Sequence, residues 1–281
     1  MPRVGSSQTL ATDKKYMKVL SILLISISLF GCSNNQIKPN KEDISAIRQI
    51  LERSFSEQKE SHTRNYPEGT EWEYILETEK IFDAFWNPKN LKQYGDLEEL
   101  SRDRYKKDEY LIVQTEYIVA IAEPHEWSVS SQELYYNYRY PSRHRRAIQC
   151  SVHTNDNFMS TVEIKGCKVL HLTHQLKSDL NSFLGDDFTD FGSPSIMTPA
   201  QASERSAKRL AAANTLVTIV PGHWGEGWHF ISHPEVEAII INRDLDQAIV
   251  SFRIGYEGGY SVMIKNENNW IITESILYWI E

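Results

Sequence analysis

Between residues 236 and 280 four apolar, β-branched runs follow one another almost without interruption: Val236–Asn242, Ala248–Ile254, Tyr260–Lys265 and Trp270–Ile280. The sequence between them is turn chemistry, Arg243-Asp244-Leu245-Asp246, Glu257-Gly258-Gly259 and Asn266-Glu267-Asn268-Asn269. Ala248, Val250, Phe252 and Ile254 share one face by period two, as do Tyr260, Val262 and Ile264. Strands this close read as an antiparallel meander. Such a sheet needs a cover on its apolar face. The nearest candidate is the helix announced by Thr198-Pro199-Ala200-Gln201, a capping box with proline at the first helical position, which the alanine-rich sequence carries to about Asn214.

Upstream the pattern alternates between the two periods. Asn40 and Asp43 can cap a helix whose Ile44, Ile47, Ile50, Leu51 and Phe55 recur every three to four residues, ending near Glu60. Tyr66-Pro67-Glu68-Gly69 breaks it, and Trp72–Phe85 resumes helical spacing through Tyr74, Ile75, Ile81, Phe82 and Phe85. Asn87–Asp108 reads as a connection with a short helix at Leu97–Arg104. Tyr110–Ala122 reads as one long strand stopped by Pro124, with Leu134–Tyr140 as its partner. Ile148–Val152 and Val162–Leu172 read as two more strands around Asn155-Asp156-Asn157, while His171–Leu184 fits either a strand or a helix. Gly185–Met197, rich in Gly, Pro, Ser and Asp, marks the best boundary. The expected class is therefore α+β, with a mixed helix and strand region over 42–190 and a helix-covered antiparallel sheet over 198–281.

A helix followed by a meander, the pattern Ala248-x-Val250-x-Phe252, a Gly-Gly turn, Trp270-Ile271-Ile272 and Trp279-Ile280-Glu281 together resemble the curved sheet of NTF2-like or cystatin-like domains. The stretch also resembles C-terminal regions of uncharacterised bacterial lipoproteins that share a His-Trp-Gly motif, here His223-Trp224-Gly225. The resemblance covers about residues 198–281. It implies a binding or accessory module more often than an enzyme, and a fold alone does not decide function.

The other end of the chain carries an address. Lys14, Lys15 and Lys18 precede an apolar run, Val19–Phe30, and then Leu29-Phe30-Gly31-Cys32. Basic segment, short hydrophobic core and small residue before a cut site are the parts of an export signal. The run is far shorter than the roughly 20 apolar residues of a spanning helix, and with no polar stripe it makes a poor surface helix. Met17-Lys18 would open a compact signal without residues 1–16. The segment resembles the bacterial lipobox, which implies a diacylglyceryl group on the Cys32 sulfur and usually an acyl chain on its new amino group, palmitate among them. Several chains hold a protein at a bilayer where one binds only marginally. Residues 33–41 are polar and read as a tether. Serine rather than aspartate follows Cys32, which by the same resemblance favours the outer membrane, facing the periplasm or the cell surface.

The chain has 30 basic and 38 acidic residues. Residues 1–32 contain four of the former (Arg3, Lys14, Lys15, Lys18) and one of the latter (Asp13), so the remainder holds 26 and 37, a formal −11. That balance argues against nucleic acid as a partner. One basic knot exists, Arg139, Arg143, His144, Arg145 and Arg146, and reads as a solvated loop more readily than as a phosphate site. Apart from Cys32 the cysteines are Cys150 and Cys167, a candidate disulfide in an oxidising compartment or two buried thiols. Their spacing is no zinc or redox motif.

Three histidines, two tryptophans and three glycines crowd into residues 222–233, just before the meander. His223, Glu226, His229 and His233 include zinc-ligand types, but not at a metal-site spacing. No cofactor is implied. His171 and His174, three apart, would face together on a helix. The residues best placed for binding are His223, Trp224, Trp228 and His229, contacting an envelope protein, a glycan or a small molecule. The alternative is an enzyme with an NTF2-like pocket and a histidine general base; no serine elbow, HExxH or phosphate loop accompanies it. A structural envelope lipoprotein is the third reading. If Cys32 is the lipid attachment point, Cys32→Ala abolishes incorporation of labelled palmitate and cleavage by the lipoprotein signal peptidase. Unchanged labelling of that variant refutes the anchor.

Overall fold

Asn40 starts the first helix through its side chain. Its Oδ1 accepts the Asp43 amide at 2.6 Å, satisfying one of the N–H groups that a helix start leaves without a partner. Helix α1 then runs Lys41–Glu60 and α2 Trp72–Phe85, both as the apolar spacing predicts. Further helices are α3 (Ser131–Arg139), α4 (His174–Leu184) and α5 (Glu204–Ala213), with 3₁₀ turns at Pro88–Tyr94 and Pro124–Ser128. The computed structural model describes residues 38–60, 72–95, 97, 103–139, 149–156, 158–185, 204–221 and 227–280. Cys32, the basic residues 143–146, most of the Gly185–Met197 stretch and the Thr198–Gln201 cap lie outside them. Among the described residues no helix is long and apolar enough to cross a membrane.

The strands are β1 (Tyr110–Val113), β2 (Tyr117–Ala122), β3 (Cys150–Asn155), β4 (Lys168–His171), β5 (Val220–Pro221), β6 (Trp228–His229), β7 (Glu235–Asn242), β8 (Gln247–Ile254), β9 (Glu257–Asn266) and β10 (Asn269–Ile280). β7 to β10 form the expected antiparallel meander. It does not stand alone. β2 pairs parallel to β7, and β3 antiparallel to β2, giving one mixed six-stranded sheet in the order β10-β9-β8-β7-β2-β3. Residues 38–281 are accordingly one compact unit, and the stretch near 185–197 does not separate two sheets. The turn expected at Glu257-Gly258-Gly259 sits two residues earlier, at Gly255-Tyr256, with Gly255 in the left-handed region at φ 63°. Gly258 and Gly259 are inside β9. A side chain at Gly259 would lie 1.9 Å from the Ile276 carbonyl oxygen, so the close approach of β10 requires glycine there.

The long strand expected over Tyr110–Ala122 is two strands in different sheets. β1 pairs parallel with β4 in a two-stranded ribbon, and after Gln114-Thr115-Glu116 the chain enters the large sheet as β2. The ribbon divides two cores. Leu111 and Val113 face Ile81, Phe82, Phe85 and the inner face of the sheet, whereas Tyr110 and Ile112 face α1, α4 and α5. All four are fully buried or nearly so, the continuous apolar pattern of a strand covered on both faces. Val162–Leu172 is likewise strand only over β4, and the segment before it is irregular, with a turn at Lys165-Gly166.

Two further expectations change. Leu134–Tyr140 is not a strand but α3: Ser130 Oγ accepts the Glu133 amide at 3.2 Å, and Leu134, Tyr135 and Tyr138 lie on one helical face against Ile240, Ile249 and Tyr260 of the sheet. The helix after residue 198 does not cover the meander. α5 packs with α1 and α4 in the second core, while α2 and α3 cover the two faces of the sheet.

Crossing between sheets leaves main-chain groups to satisfy inside the core. The buried Gln114 amide does this at the start of β7, accepting from Val236 N at 2.7 Å and donating to Val236 O at 2.6 Å. Ser232 does the same for β1, its Oγ accepting from Ile112 N at 3.0 Å and its amide donating to Ile112 O at 2.7 Å. Gln114→Leu would strand both Val236 groups. At about 1–3 kcal/mol for each buried unpaired group, the variant is expected to lose about 2–6 kcal/mol in urea unfolding; a loss below about 1 kcal/mol would show the amide to be dispensable.

Candidate functional site

The glycine-rich segment favoured by the sequence is only partly described, since His223, Trp224 and Glu226 lie outside the described residues. Its two ends meet in the small β5–β6 hairpin, with Val220 opposite His229 and Pro221 opposite Trp228. Trp228 does not face a partner. It is 7% exposed and belongs to the core formed by Ile47, Leu51, Tyr110, Leu210 and Phe230. His229 is half-buried beside it. His233 is sealed in: Nε2 accepts the Gly255 amide at 3.1 Å, and burial, with Arg104 nearby, pushes its pKa down to about 3, so the ring is neutral at ordinary pH. Tyr105 packs edge-on against it, its own hydroxyl pushed up to about 12 by burial. These histidines and tryptophan build the fold.

The two cysteines are both free. Cys150 opens β3 opposite Ala122 and packs with the α3 side of the sheet, where burial and then Glu126 raise its thiol pKa. Cys167 packs on the other side, and its Sγ donates to Asp108 O at 3.1 Å. The sheet lies between them, which rules out the disulfide.

A different place in the fold is concave. The last turns of α1, strand β4 and the irregular stretch 160–165 enclose a groove of about 830 Å³, within the range of small-ligand sites. It lies on the seam between two cores: Phe55 belongs to one, and Val162, Ile164, Cys167 and Val169 pack against the other. The outer wall is pinned through Asp83. Ser160 Oγ donates to its Oδ1 at 2.6 Å, Thr161 N to its Oδ2 at 3.1 Å, and the Thr161 hydroxyl bonds the same oxygen. Phe158, just before, packs edge-on against Phe82 and Tyr117.

The inner wall is held by Gln58 and His171. Gln58 Oε1 accepts His171 N at 2.7 Å while its Nε2 donates to His171 O at 2.9 Å and to Ser54 Oγ. The His171 ring bridges both walls, Nδ1 lying 3.2 Å from Gln58 Oε1 and Nε2 3.1 Å from Ser160 O. His171 thus ends β4 and is not on a helix; His174 begins α4 instead of sharing a face with it.

One flank carries charge. Lys168 Nζ lies 2.7 Å from both oxygens of Glu52, the Tyr110 hydroxyl bonds the same carboxylate, and the ammonium sits 5.3 Å from the Phe55 ring centre. Lys168 and then Tyr110 hold the Glu52 carboxyl below the usual range, while burial and then Glu52 push the Tyr110 hydroxyl up to about 12. Arg48 grips Glu109 with two hydrogen bonds of 2.6 and 3.0 Å alongside. The groove therefore offers apolar walls, lysines and hydrogen-bonding backbone. Among the described residues no three His, Cys, Asp or Glu converge to hold a metal. Gln58 and His171 are 113 residues apart in sequence, and no local pattern ties them together.

No protein-family model matches the chain, and no match is found among curated proteins or solved structures. Trp228→Ala is expected to cost about 3–5 kcal/mol of stability, as large core truncations do, measured by denaturant unfolding. A stable, fully folded variant would return Trp228 to the candidates for a binding surface.

Proposed function

We propose that this chain is a membrane-anchored binding or accessory module of a bacterial cell envelope, tethered through acylated Cys32 at the outer membrane, and that the groove between α1 and β4 is where it takes its ligand. The groove carries the reading of the site: a half-open space of about 830 Å³ whose walls are braced from several elements, with apolar side chains and lysines turned into it. Bracing of this kind lowers the ordering cost of binding. The anchor is supported by Leu29-Phe30-Gly31-Cys32 and the apolar run before it. The antiparallel meander β7–β10 supports an NTF2-like or cystatin-like reading of the C-terminal part, with β2 and β3 extending the sheet and α2 and α3 in the covering place expected of α5. The partner is an envelope protein, a glycan or a small molecule, and the acidic balance of the chain disfavours nucleic acid. Binding is preferred to histidine catalysis because His171 is engaged at both ring nitrogens and His233 is sealed in the core.

Photo-crosslinking in cells tests the site. A crosslinking side chain at Lys165, on the groove, is expected to capture an envelope component that the same group at Glu133, on α3, does not. Identical adducts from both positions, or none from the groove, would reject the groove as the ligand site.

A further inference from the structure

We infer that the groove takes an extended peptide segment, apolar at its centre and acidic at its ends, which adds to the outer edge of β4; the inference rests on the groove being the ligand site. Lys168 and Leu172 donate their amides to Glu109 O and Val113 O, each at 2.9 Å, so amides at these alternate positions face β1. By the period of a strand those of Val169 and His171 face the other way. Among the described residues the β1–β4 ribbon has two strands, and no strand pairs with this second edge.

At His171 the edge is already occupied in a revealing manner. The Gln58 side chain accepts its N–H and donates to its C=O. A primary amide is one peptide unit, and it pairs here as a strand residue would. At Val169, two residues along the same edge, the strand period turns the N–H and C=O away from β1, toward the side on which Val169 lines the groove, and no hydrogen bond from another described element reaches them. Main-chain groups in a partly enclosed, largely apolar site call for a donor and acceptor from whatever fills it. An acyl chain or a bare aromatic ring supplies neither. An extended peptide supplies both, with alternate side chains reaching Phe55, Val162 and Ile164.

The charges set the ends. Lys59 follows Gln58 at the His171 end, and Lys165 lies in the turn that leads through Cys167 to the start of β4. Neither has an ion-pair partner among the described residues. Lys168 is already committed to Glu52, and Glu163 is the acid in the lining. Two ammonium groups at opposite ends, unpaired among the described residues, favour acidic residues flanking an apolar centre.

The test uses the full chain in detergent and fluorescein-labelled peptides with acidic flanks around a Val-Thr-Val centre. Binding is read by polarisation, and protection of Cys167 from alkylation by mass spectrometry of that peptide. The parent peptide is expected to bind and to slow Cys167 alkylation, and methylation of its central amide nitrogen to weaken binding by about tenfold or more. Lys59→Glu with Lys165→Glu should weaken it by a similar factor, and exchanging the acidic flanks for lysine should do the same. Val169→Pro removes the outward N–H, besides fixing φ and trimming the side chain, and should also reduce binding; if it fails to fold, the methylated peptide and the exposed lysine pair decide. Equal binding of parent and methylated peptides overturns the edge pairing. Protection of Cys167 by dodecanoate but by none of the peptides overturns the peptide while leaving the groove as a ligand site. Protection by no probe, together with absent crosslinks at Lys165, removes both.

Discussion

Backbone hydrogen bonding inside the core is the constraint on which the rest of this architecture depends. Between Tyr110 and Ala122 the chain leaves one sheet and enters another without reaching solvent for long, and unpaired main-chain groups there would cost as much as the packing provides. Side chains fill the gaps where ladders stop. Gln114 pairs with Val236 and Gln58 with His171, each side-chain amide offering a donor and an acceptor in the place of a missing strand residue, while Ser232 pairs with Ile112 through its accepting Oγ and its donating main-chain amide. Because the partners are 113 to 122 residues apart, these pairs also tie the first half of the chain to the last.

A buried carboxylate makes a second tie of the same sort. Glu77 on α2 is 4% exposed and accepts from Trp270 Nε1 at 2.7 Å and from Lys265 at 2.7 Å, with Lys80 at 2.9 Å. Burial alone would raise its pKa; the bonds from Lys265, Lys80 and Trp270 outweigh it and hold the carboxyl below its ordinary value. The arrangement fixes α2 across the end of the β9–β10 hairpin and so sets which helix covers the meander. The same logic explains the groove. Its walls are braced by Asp83, Gln58 and His171 from elements that lie far apart in the sequence.

Several elements were legible without coordinates. The meander follows from period-two alternation and close turns, because an apolar face of that period can be buried only as a sheet. α1 and α2 follow from apolar residues three and four apart, and the Asn40 cap from its side chain. The errors are equally physical. Leu134, Tyr135 and Tyr138 fit either period over so short a run, and the Ser130 cap outweighed their β propensity. Tyr110–Ala122 carries β-forming residues on both sides of the polar triplet Gln114-Thr115-Glu116, and the break there was a local signal that the reading as one long strand passed over. Trp228 was grouped with candidate binding residues because aromatic side chains suit both a surface and a core; position 7% exposed in the second core decided which.

The sequence by itself determined the local conformations with strong periodicity and the α+β class, and it holds the basic and apolar run ending at Cys32 that motivates the proposed anchor, since each depends on residues close together along the chain. The tertiary structure alone decided that β2 joins β7 in one sheet, that Cys150 and Cys167 lie on opposite sides of it, and that Phe55, Gln58, Val162, Val169 and His171 line one groove. Those relations are set by long-range pairing, where the free energy of satisfying distant backbone groups and filling shared cores selects one arrangement among many that the local pattern permits.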